Sequence, residues 1–96
     1  MSGRVFLQGY MEVPPERLAA VAGALPDHIA LTRAEPGCLA FDVTPSPDHP
    51  DRFLVSEIFV DRAAFDAHQA RGTASAWAEV TAGLPRHYTI RHEDGS

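Results

Sequence analysis

The 96-residue sequence contains no lysine and a single cysteine, and all eight of its basic residues are arginines scattered along the chain. The net charge at pH 7 is −5. Scattered arginines on an acidic chain offer no basic stripe that could follow a phosphate backbone, so we expect no nucleic-acid partner. The lone Cys38 cannot form an internal disulfide, which is typical of a protein from a reducing compartment.

The sequence also lacks long apolar runs and the usual cofactor motifs. Its first residues mix arginine, glutamate and proline, which argues against a signal peptide or a membrane span and indicates a cytoplasmic protein without membrane contact. No Gly-rich loop follows a strand, and no serine lies in a nucleophile elbow. His87 and His92 fall on opposite faces of a predicted strand and His49 lies in a loop, so we expect no metal and no organic cofactor.

Hydrophobic periodicity predicts the first half of the chain to be a strand followed by helix. Residues 4–13 alternate with a period of two, and both faces carry apolar or aromatic side chains. Pro14 and Pro15 suit the first positions of a helix. Pro26 is expected to break or kink that helix, and a second helical piece capped by Asp27 is expected to run until the "EPG" segment.

The second half predicts a hairpin, a helix and a final strand. Residues 38–44 and 52–60 form the hairpin around a proline-rich loop. Asp61 is expected to cap a helix in which Phe65 and His68 share one face. After an interruption at "RGTAS", the helical stripe resumes with Ala74, Trp77, Ala78 and Thr81. The segment "RHYTIRH" predicts the last strand, and residues 92–96 are expected to be a disordered tail.

This order of elements predicts an α+β fold of the ferredoxin-like βαββαβ type, with an antiparallel sheet and the helices on one face. We expect one domain over residues 1–96, with a core at about 4–91. The strand 52–60 is apolar on both faces, with Phe53 and Val55 on one side and Leu54 and Ile58 on the other. Because helices cover only one face, the other needs a cover, and we predict a homodimer packed through its sheet faces.

A carboxylate and an imidazole stand out at the junction of a buried strand and an apolar-faced helix. If Glu57 points toward the helices, it faces the side that carries Phe65, His68 and Trp77. Burial raises the pKa of a carboxyl group and lowers that of an imidazole, whereas mutual pairing does the reverse. Two interpretations remain open at this point. Glu57 and His68 either transfer protons in a pocket, or form a structural pair that ties helix to sheet.

The aromatic residues allow similar alternatives. Tyr10 and Tyr88 could hydrogen-bond the oxygen of an aromatic substrate, or could fill core while their hydroxyls reach solvent. Trp77, the only tryptophan, is more often core or a dimer contact than a wall for substrate stacking. Arg86 and Arg91 could neutralise an anionic substrate, although a solvated arginine is the ordinary outcome at the end of a strand.

The segments "EPGCLAFDV" and "RFLVSEIFVDRAAFDAHQA" resemble the antibiotic biosynthesis monooxygenase family, small dimeric α/β-barrel proteins that include quinol monooxygenases. The resemblance covers about residues 4–91. It implies oxidation of a quinol or hydroxylated polycyclic aromatic by O₂ without a cofactor. Glu57 and His68 would be the catalytic residues, with His68 handling a proton or orienting the substrate. The substrate would contact Tyr10, Phe59, Phe65 and Trp77.

One residue departs from the family pattern. Several active members carry tryptophan at the end of the third strand, where this chain has Phe59, and this weakens the case for the polyketide-oxygenating and haem-degrading branches. An enzyme predicts a ligand-sized cavity lined by Glu57, Phe59, His68 and Trp77. The alternative is a non-catalytic dimeric module of the same fold, which binds a ligand or serves a stress response.

Overall fold

The computed structural model describes residues 3–73 and 75–93. Its elements, in chain order, are β1 (Val5–Glu12), α1 (Pro15–Arg33), β2 (Cys38–Pro45), β3 (Arg52–Phe59), α2 (Arg62–Thr73), α3 (Ala76–Val80) and β4 (Arg86–His92). The strands form one antiparallel sheet in the order β2-β3-β1-β4. Each helical crossover therefore passes over one strand, which confirms the predicted ferredoxin-like α+β arrangement.

One face of the sheet forms the core beneath the helices. Because side chains alternate along a strand, the strand register brings one residue in two to this face. Glu57 pairs with Leu7 of β1 and with Phe41 of β2, so its carboxylate stands between two buried apolar neighbours. The other core residues on the sheet include Val5, Met11, Val43, Phe53, Val55 and Phe59.

The first helix differs from the prediction of two pieces. α1 runs without interruption for 19 residues and contains Pro26 in its interior. Proline removes the hydrogen bond to the carbonyl four residues earlier, at Ala22. Both residues are exposed, so water can satisfy that carbonyl. Asp27 consequently lies inside the helix and does not cap a second one.

The C-terminal half follows the predicted order closely. Asp61 caps α2 as expected, because its Oδ1 accepts a hydrogen bond from the Ala64 amide at 2.8 Å. Ala74, which was assigned to a helical stripe, lies outside the described residues. His92 is the last residue of β4 rather than part of a disordered tail, and the Glu93 amide donates to the Arg4 carbonyl. Residues 94–96 lie outside the description.

The outer face of the sheet carries large side chains that no helix covers. Phe6, Tyr10 and Ile58 are half-buried, and Leu54 keeps 41% of its surface exposed. Arg91 lies over the Phe6 ring and Arg52 over the Tyr10 ring, so their guanidinium groups shield part of this apolar surface. Within the described residues, no helix is both long enough and apolar enough to cross a membrane.

Candidate functional site

A cavity of about 320 Å³ opens between the sheet and the helices. Its floor is formed by β2, β3 and β4, and its walls by α1, α2 and the α3 region. This volume lies at the lower end of the range of roughly 300 to 1,000 Å³ that is usual for small-molecule sites. The lining side chains that carry polar or aromatic chemistry are His28, Phe41, Glu57, His68, Gln69, Thr73, Trp77, Thr81, Arg86 and Tyr88.

Glu57 is the buried acid of the cavity. β3 places it on the core face, and its Oε1 is buried without a hydrogen-bond partner. Burial, with a smaller contribution from the negative charge of Glu35, raises the pKa of Glu57 from 4.5 to about 7. A carboxyl group of this kind is about half ionised at neutral pH, and it can therefore accept or release a proton there.

His68 connects Glu57 to a second carboxylate. Its Nε2 lies 3.8 Å from Glu57 Oε1, which is too long for a direct hydrogen bond. Its Nδ1 lies 3.2 Å from Glu35 Oε2. The same Glu35 oxygen accepts a hydrogen bond of 2.5 Å from Arg71 Nε, and Arg71 Nη2 donates to Thr32 Oγ1 at 3.0 Å.

A close turn holds Glu35 against α2. The turn contains Gly37, and a Cβ atom built at this glycine would lie 2.2 Å from the Ala64 Cβ on α2. Only a residue without a side chain fits that gap, so Gly37 permits the approach. Glu35 thereby reaches Arg71 and His68, which lie three residues apart and thus on the same side of α2.

His28 and Trp77 form a flat aromatic wall. Their rings stack with centroids 4.6 Å apart and planes 7° apart. Burial, followed by the charges of His68 and Arg71, lowers the pKa of His28 from 6.5 to about 4, so this imidazole is neutral at pH 7. Its Nδ1 is buried without a hydrogen-bond partner. Both residues line the cavity, so this side of it is aromatic and uncharged.

Arg86 and Tyr88 stand side by side on β4. The Arg86 guanidinium donates to the Leu84 carbonyl and to both the carbonyl and the hydroxyl of Thr81, at 2.9 to 3.2 Å. These acceptors are uncharged, so they fix the guanidinium without neutralising it. Burial raises the pKa of Tyr88, which keeps its phenol protonated as a hydrogen-bond donor.

The structure brings together only part of the predicted site. Glu57, His68 and Trp77 line the cavity. Phe59 and Phe65 are core residues behind it, and the Phe59 ring contacts the His68 ring at a centroid distance of 4.9 Å. Tyr10 lies on the outer face of the sheet, stacked on His87, because it has the opposite strand parity to Leu7 and Met11.

Several residues of the site were not predicted from the sequence. Splitting α1 at Pro26 concealed a buried stripe with spacings of three and four residues, namely Val21, Leu25, His28 and Thr32. A helix predicted without a break at Pro26 would have placed His28 on this buried stripe. Glu35 was noticed only as part of the "EPG" turn, and nothing in the sequence indicated that Arg71 would meet it. Within residues 3–73 and 75–93, no group of three metal-ligating side chains could hold a metal ion.

A split βαβ sheet with a cavity beneath its helices defines a small α+β protein of the ferredoxin-like type. The model of the antibiotic biosynthesis monooxygenase family matches residues 4–80. The chain therefore belongs to that family, which confirms the resemblance found in the sequence. No curated protein matches the chain.

Solved structures of similar fold support this assignment. Protein SO0527 from Shewanella oneidensis is 28% identical with a TM-score of 0.77, over 95% of this chain and 91% of that one. A Deinococcus radiodurans protein, provisionally described as an antibiotic biosynthesis monooxygenase, is 25% identical with a TM-score of 0.79, over 96% and 93%. Rv0793 from Mycobacterium tuberculosis, at 23% identity and a TM-score of 0.73 over 98% and 100%, shows the fold alone.

Proposed function

We propose that this protein is a cofactor-independent monooxygenase that oxidises a quinol or a hydroxylated aromatic compound with O₂ in the cavity. The observation that carries the proposal is the carboxyl group of Glu57. It is buried, lacks a hydrogen-bond partner at Oε1, has a pKa near 7 and lies beside His68 in a ligand-sized cavity. Such a group is suited to take the proton of a phenol.

The reaction balances with the substrate as the only reductant. A quinol and O₂ give a hydroxyquinone and water. One oxygen atom replaces a ring hydrogen, the other leaves as water, and the quinol supplies all four electrons. Removal of the phenolic proton produces the electron-rich anion that reduces oxygen. The protein then has to accept that proton, stabilise the anion and exclude bulk water.

Residues of the cavity suit these tasks. Glu57 accepts the proton, and His68, whose Nε2 lies 3.8 Å from Glu57 Oε1, can take it over once the two side chains move into hydrogen-bond distance. Arg86 supplies a fixed positive charge and Tyr88 a phenolic donor for the substrate oxygen on the β4 side. His28 and Trp77 both line the cavity and offer aromatic contacts to the ring of the substrate.

The size of the cavity narrows the proposed substrate. About 320 Å³ is small for a ligand site, and several rings fused in a row would protrude from it. We therefore favour a quinol of one or two rings over a larger polycyclic aromatic.

Oxygen uptake by the metal-free protein tests the proposal. A panel of one-ring, two-ring and polycyclic hydroquinones is compared for the native chain, Glu57→Gln, His68→Ala and the control Asp66→Asn, which alters only an exposed ion pair of α2. We expect uptake above autoxidation for the small quinols, retained in the control and lost in the two site variants. Binding of a quinol without uptake would instead assign the chain to the non-catalytic, ligand-binding alternative.

We also propose that the protein is a homodimer packed through its outer sheet face. Phe6, Leu54 and Ile58 leave an apolar surface there that a second copy of the chain could cover. Sedimentation at micromolar concentration should give twice the 10.4 kDa chain mass. Leu54→Arg should reduce this to one chain, whereas Leu31→Arg, at an exposed position on α1, should not.

A further inference from the structure

The pairing of His68 with Glu35 has a chemical consequence for the other ring nitrogen. A neutral imidazole carries one N–H group and one lone pair. An ionised carboxylate can only accept hydrogen bonds, so the nitrogen that faces Glu35 must be the one that carries the hydrogen. This nitrogen is Nδ1. The lone pair of neutral His68 then resides on Nε2, the atom nearest to Glu57.

Glu35 is held by a positively charged group as well as by His68. Arg71 donates to the same oxygen that accepts from His68, and it is itself fixed by Thr32. A guanidinium remains charged at all relevant pH values, so it stabilises the negative charge of Glu35. Glu35 can therefore hold the His68 proton at Nδ1 without removing it. Arg71 fixes the position and charge of Glu35, and Glu35 fixes the imidazole.

We propose that Glu35, held by Arg71, is a positioning residue that keeps His68 in the Nδ1–H tautomer and directs its Nε2 lone pair toward Glu57. Its role in catalysis depends on the proposed oxygenase function, but the tautomer does not. In this arrangement, the Nε2 atom of His68 can accept a proton from Glu57. This transfer returns Glu57 to its ionised form, in which it can receive the proton of the next substrate.

The pH dependence of this unit involves charged groups from every neighbouring element. Glu57 on β3 and Glu35 in the turn before β2 face the imidazole from two sides. Arg71 lies on the same helix, α2, as His68, and His28 approaches from α1 with its ring centroid 6.1 Å away. Besides burial, the charge of Glu35 contributes to the pKa of both Glu57 and His28, so a change at Glu35 should alter the pH profile of the site.

Nitrogen-15 NMR of the histidine side chains tests the tautomer directly, without any substrate. Spectra are recorded at a pH where His68 is neutral, for the native chain, Glu35→Ala, Arg71→Met and the control Asp66→Asn. We expect the native chain and the control to show His68 protonated at Nδ1. In Glu35→Ala the signals should shift toward the Nε2–H form. Native His68 protonated at Nε2, or an unchanged spectrum in a folded Glu35→Ala, would overturn the proposal.

Enzyme kinetics provide a second test once a quinol that the protein oxidises has been found. Loss of a group that orients a reacting side chain typically costs about 10- to 100-fold in activity. We expect Glu35→Ala to lower kcat by this factor, to leave KM nearly unchanged and to displace a limb of the pH profile. Glu35→Gln should retain part of kcat, because its amide oxygen can still accept from Nδ1–H.

The two proposals can fail separately. If the native protein consumes no oxygen but His68 carries its proton on Nδ1, the oxygenase function fails and the positioning role of Glu35 stands. If oxygen is consumed while His68 is protonated on Nε2, the positioning role fails and the oxygenase function stands. A fall in the stability of Glu35→Ala with an unchanged tautomer would show that Glu35 is merely structural.

Discussion

Two histidine–glutamate pairs, one on the outer face of the sheet and one between the sheet and the helices, show how strongly the environment governs what such a pair can do. His87 and Glu12, on the outer face, are in close contact at 2.6 Å, but their side chains are 49% and 37% exposed. His68 and Glu35, beneath the helices, are 3.2 Å apart, with 6% and 16% exposed. The shorter contact is the one that water screens.

The difference between the pairs lies in what surrounds them. Solvent competes for both partners of the outer pair, and exposed ion pairs typically contribute about 0 to 1 kcal/mol. In the inner pair, Glu35 also accepts from Arg71, which in turn donates to Thr32. The buried Glu57 oxygen without a hydrogen-bond partner lies nearby, in a region where few water molecules can replace a lost contact. Proton chemistry is therefore expected only beneath the helices, at Glu57 and His68, and the following predictions test this contrast in order of decreasing effect.

The largest effect is expected on catalysis. Glu57→Gln removes the proposed proton acceptor with little change in shape, and loss of a general base typically lowers the rate by about 10² to 10⁴-fold. The matching change on the outer face, Glu12→Gln, should leave the rate within a factor of about two, because Glu12 lies far from the cavity in the strand register. Oxygen uptake with a two-ring quinol measures both. Equal losses in the two variants would contradict the assignment of the inner face as the reactive one.

The next effect concerns stability against pH. The pKa of Glu57 is higher in the folded chain, at about 7, than its ordinary 4.5, so its contribution to stability is full below pH 4.5 and is lost as the pH rises through 7. The pKa of His28 is lower, at about 4 instead of 6.5, so its contribution is full above pH 6.5 and is lost as the pH falls through 4. Each contribution to the free energy of unfolding amounts to roughly 3 kcal/mol, and the two change with pH in opposite directions.

These opposing contributions should nearly cancel in the native chain between pH 4.5 and 6.5. Glu57→Gln should then lose stability on acidification, and His28→Gln should gain it. Urea denaturation at several pH values measures the free energy of unfolding in each case. The same slope with pH in both variants would show that neither group is perturbed as described.

A smaller effect is expected from breaking the connection to Arg71. Arg71→Met leaves the Glu35 carboxylate partly buried with one donor fewer, which costs about 1 to 3 kcal/mol. Arg62→Met breaks an exposed ion pair on the same helix and should cost less than about 1 kcal/mol. Thermal or urea denaturation compares the two. If Arg62→Met and Arg71→Met lower the free energy of unfolding equally, burial does not make one of these ion pairs stronger than the other.

The smallest effect is expected at the outer pair. Glu12→Ala should change the free energy of unfolding of a single chain by less than about 1 kcal/mol, and added salt should reduce the change further. The comparison is made in the monomeric Leu54→Arg background, so that contacts between copies do not contribute. A cost of several kcal/mol that resists salt would contradict the contrast between the two faces.

The sequence alone predicted the strands well and the helices less well. Alternation in 4–13, 38–44 and 52–60 located three strands to within about one residue, since the period of two is unaffected by neighbouring elements. Pro26 was taken as a helix break because proline is unfavourable inside helices. The structure retains it on the exposed side of α1, where solvent satisfies the freed carbonyl.

Site residues whose position depends on a single strand or helix were predicted from the sequence. Site residues whose position depends on contacts between several elements were not. Glu57 and His68 follow from the faces of a single strand and a single helix. Tyr10 was expected in the cavity, yet its strand parity puts it on the opposite face, and Tyr88 of β4 lines the cavity instead. The contact between Glu35 and Arg71 joins positions 36 residues apart, and no local pattern encodes it.

The central claim is that the inner face of the sheet holds a carboxyl group that exchanges protons near neutral pH. The most direct measurement is a carbon-13 NMR titration of the Glu57 side-chain carboxyl in the native chain, with Glu57→Gln to assign the signal. The account predicts a midpoint near pH 7. A midpoint near the ordinary value of 4.5 would contradict it, because Glu57 would then be fully ionised at neutral pH and poorly matched to the proton of a phenol.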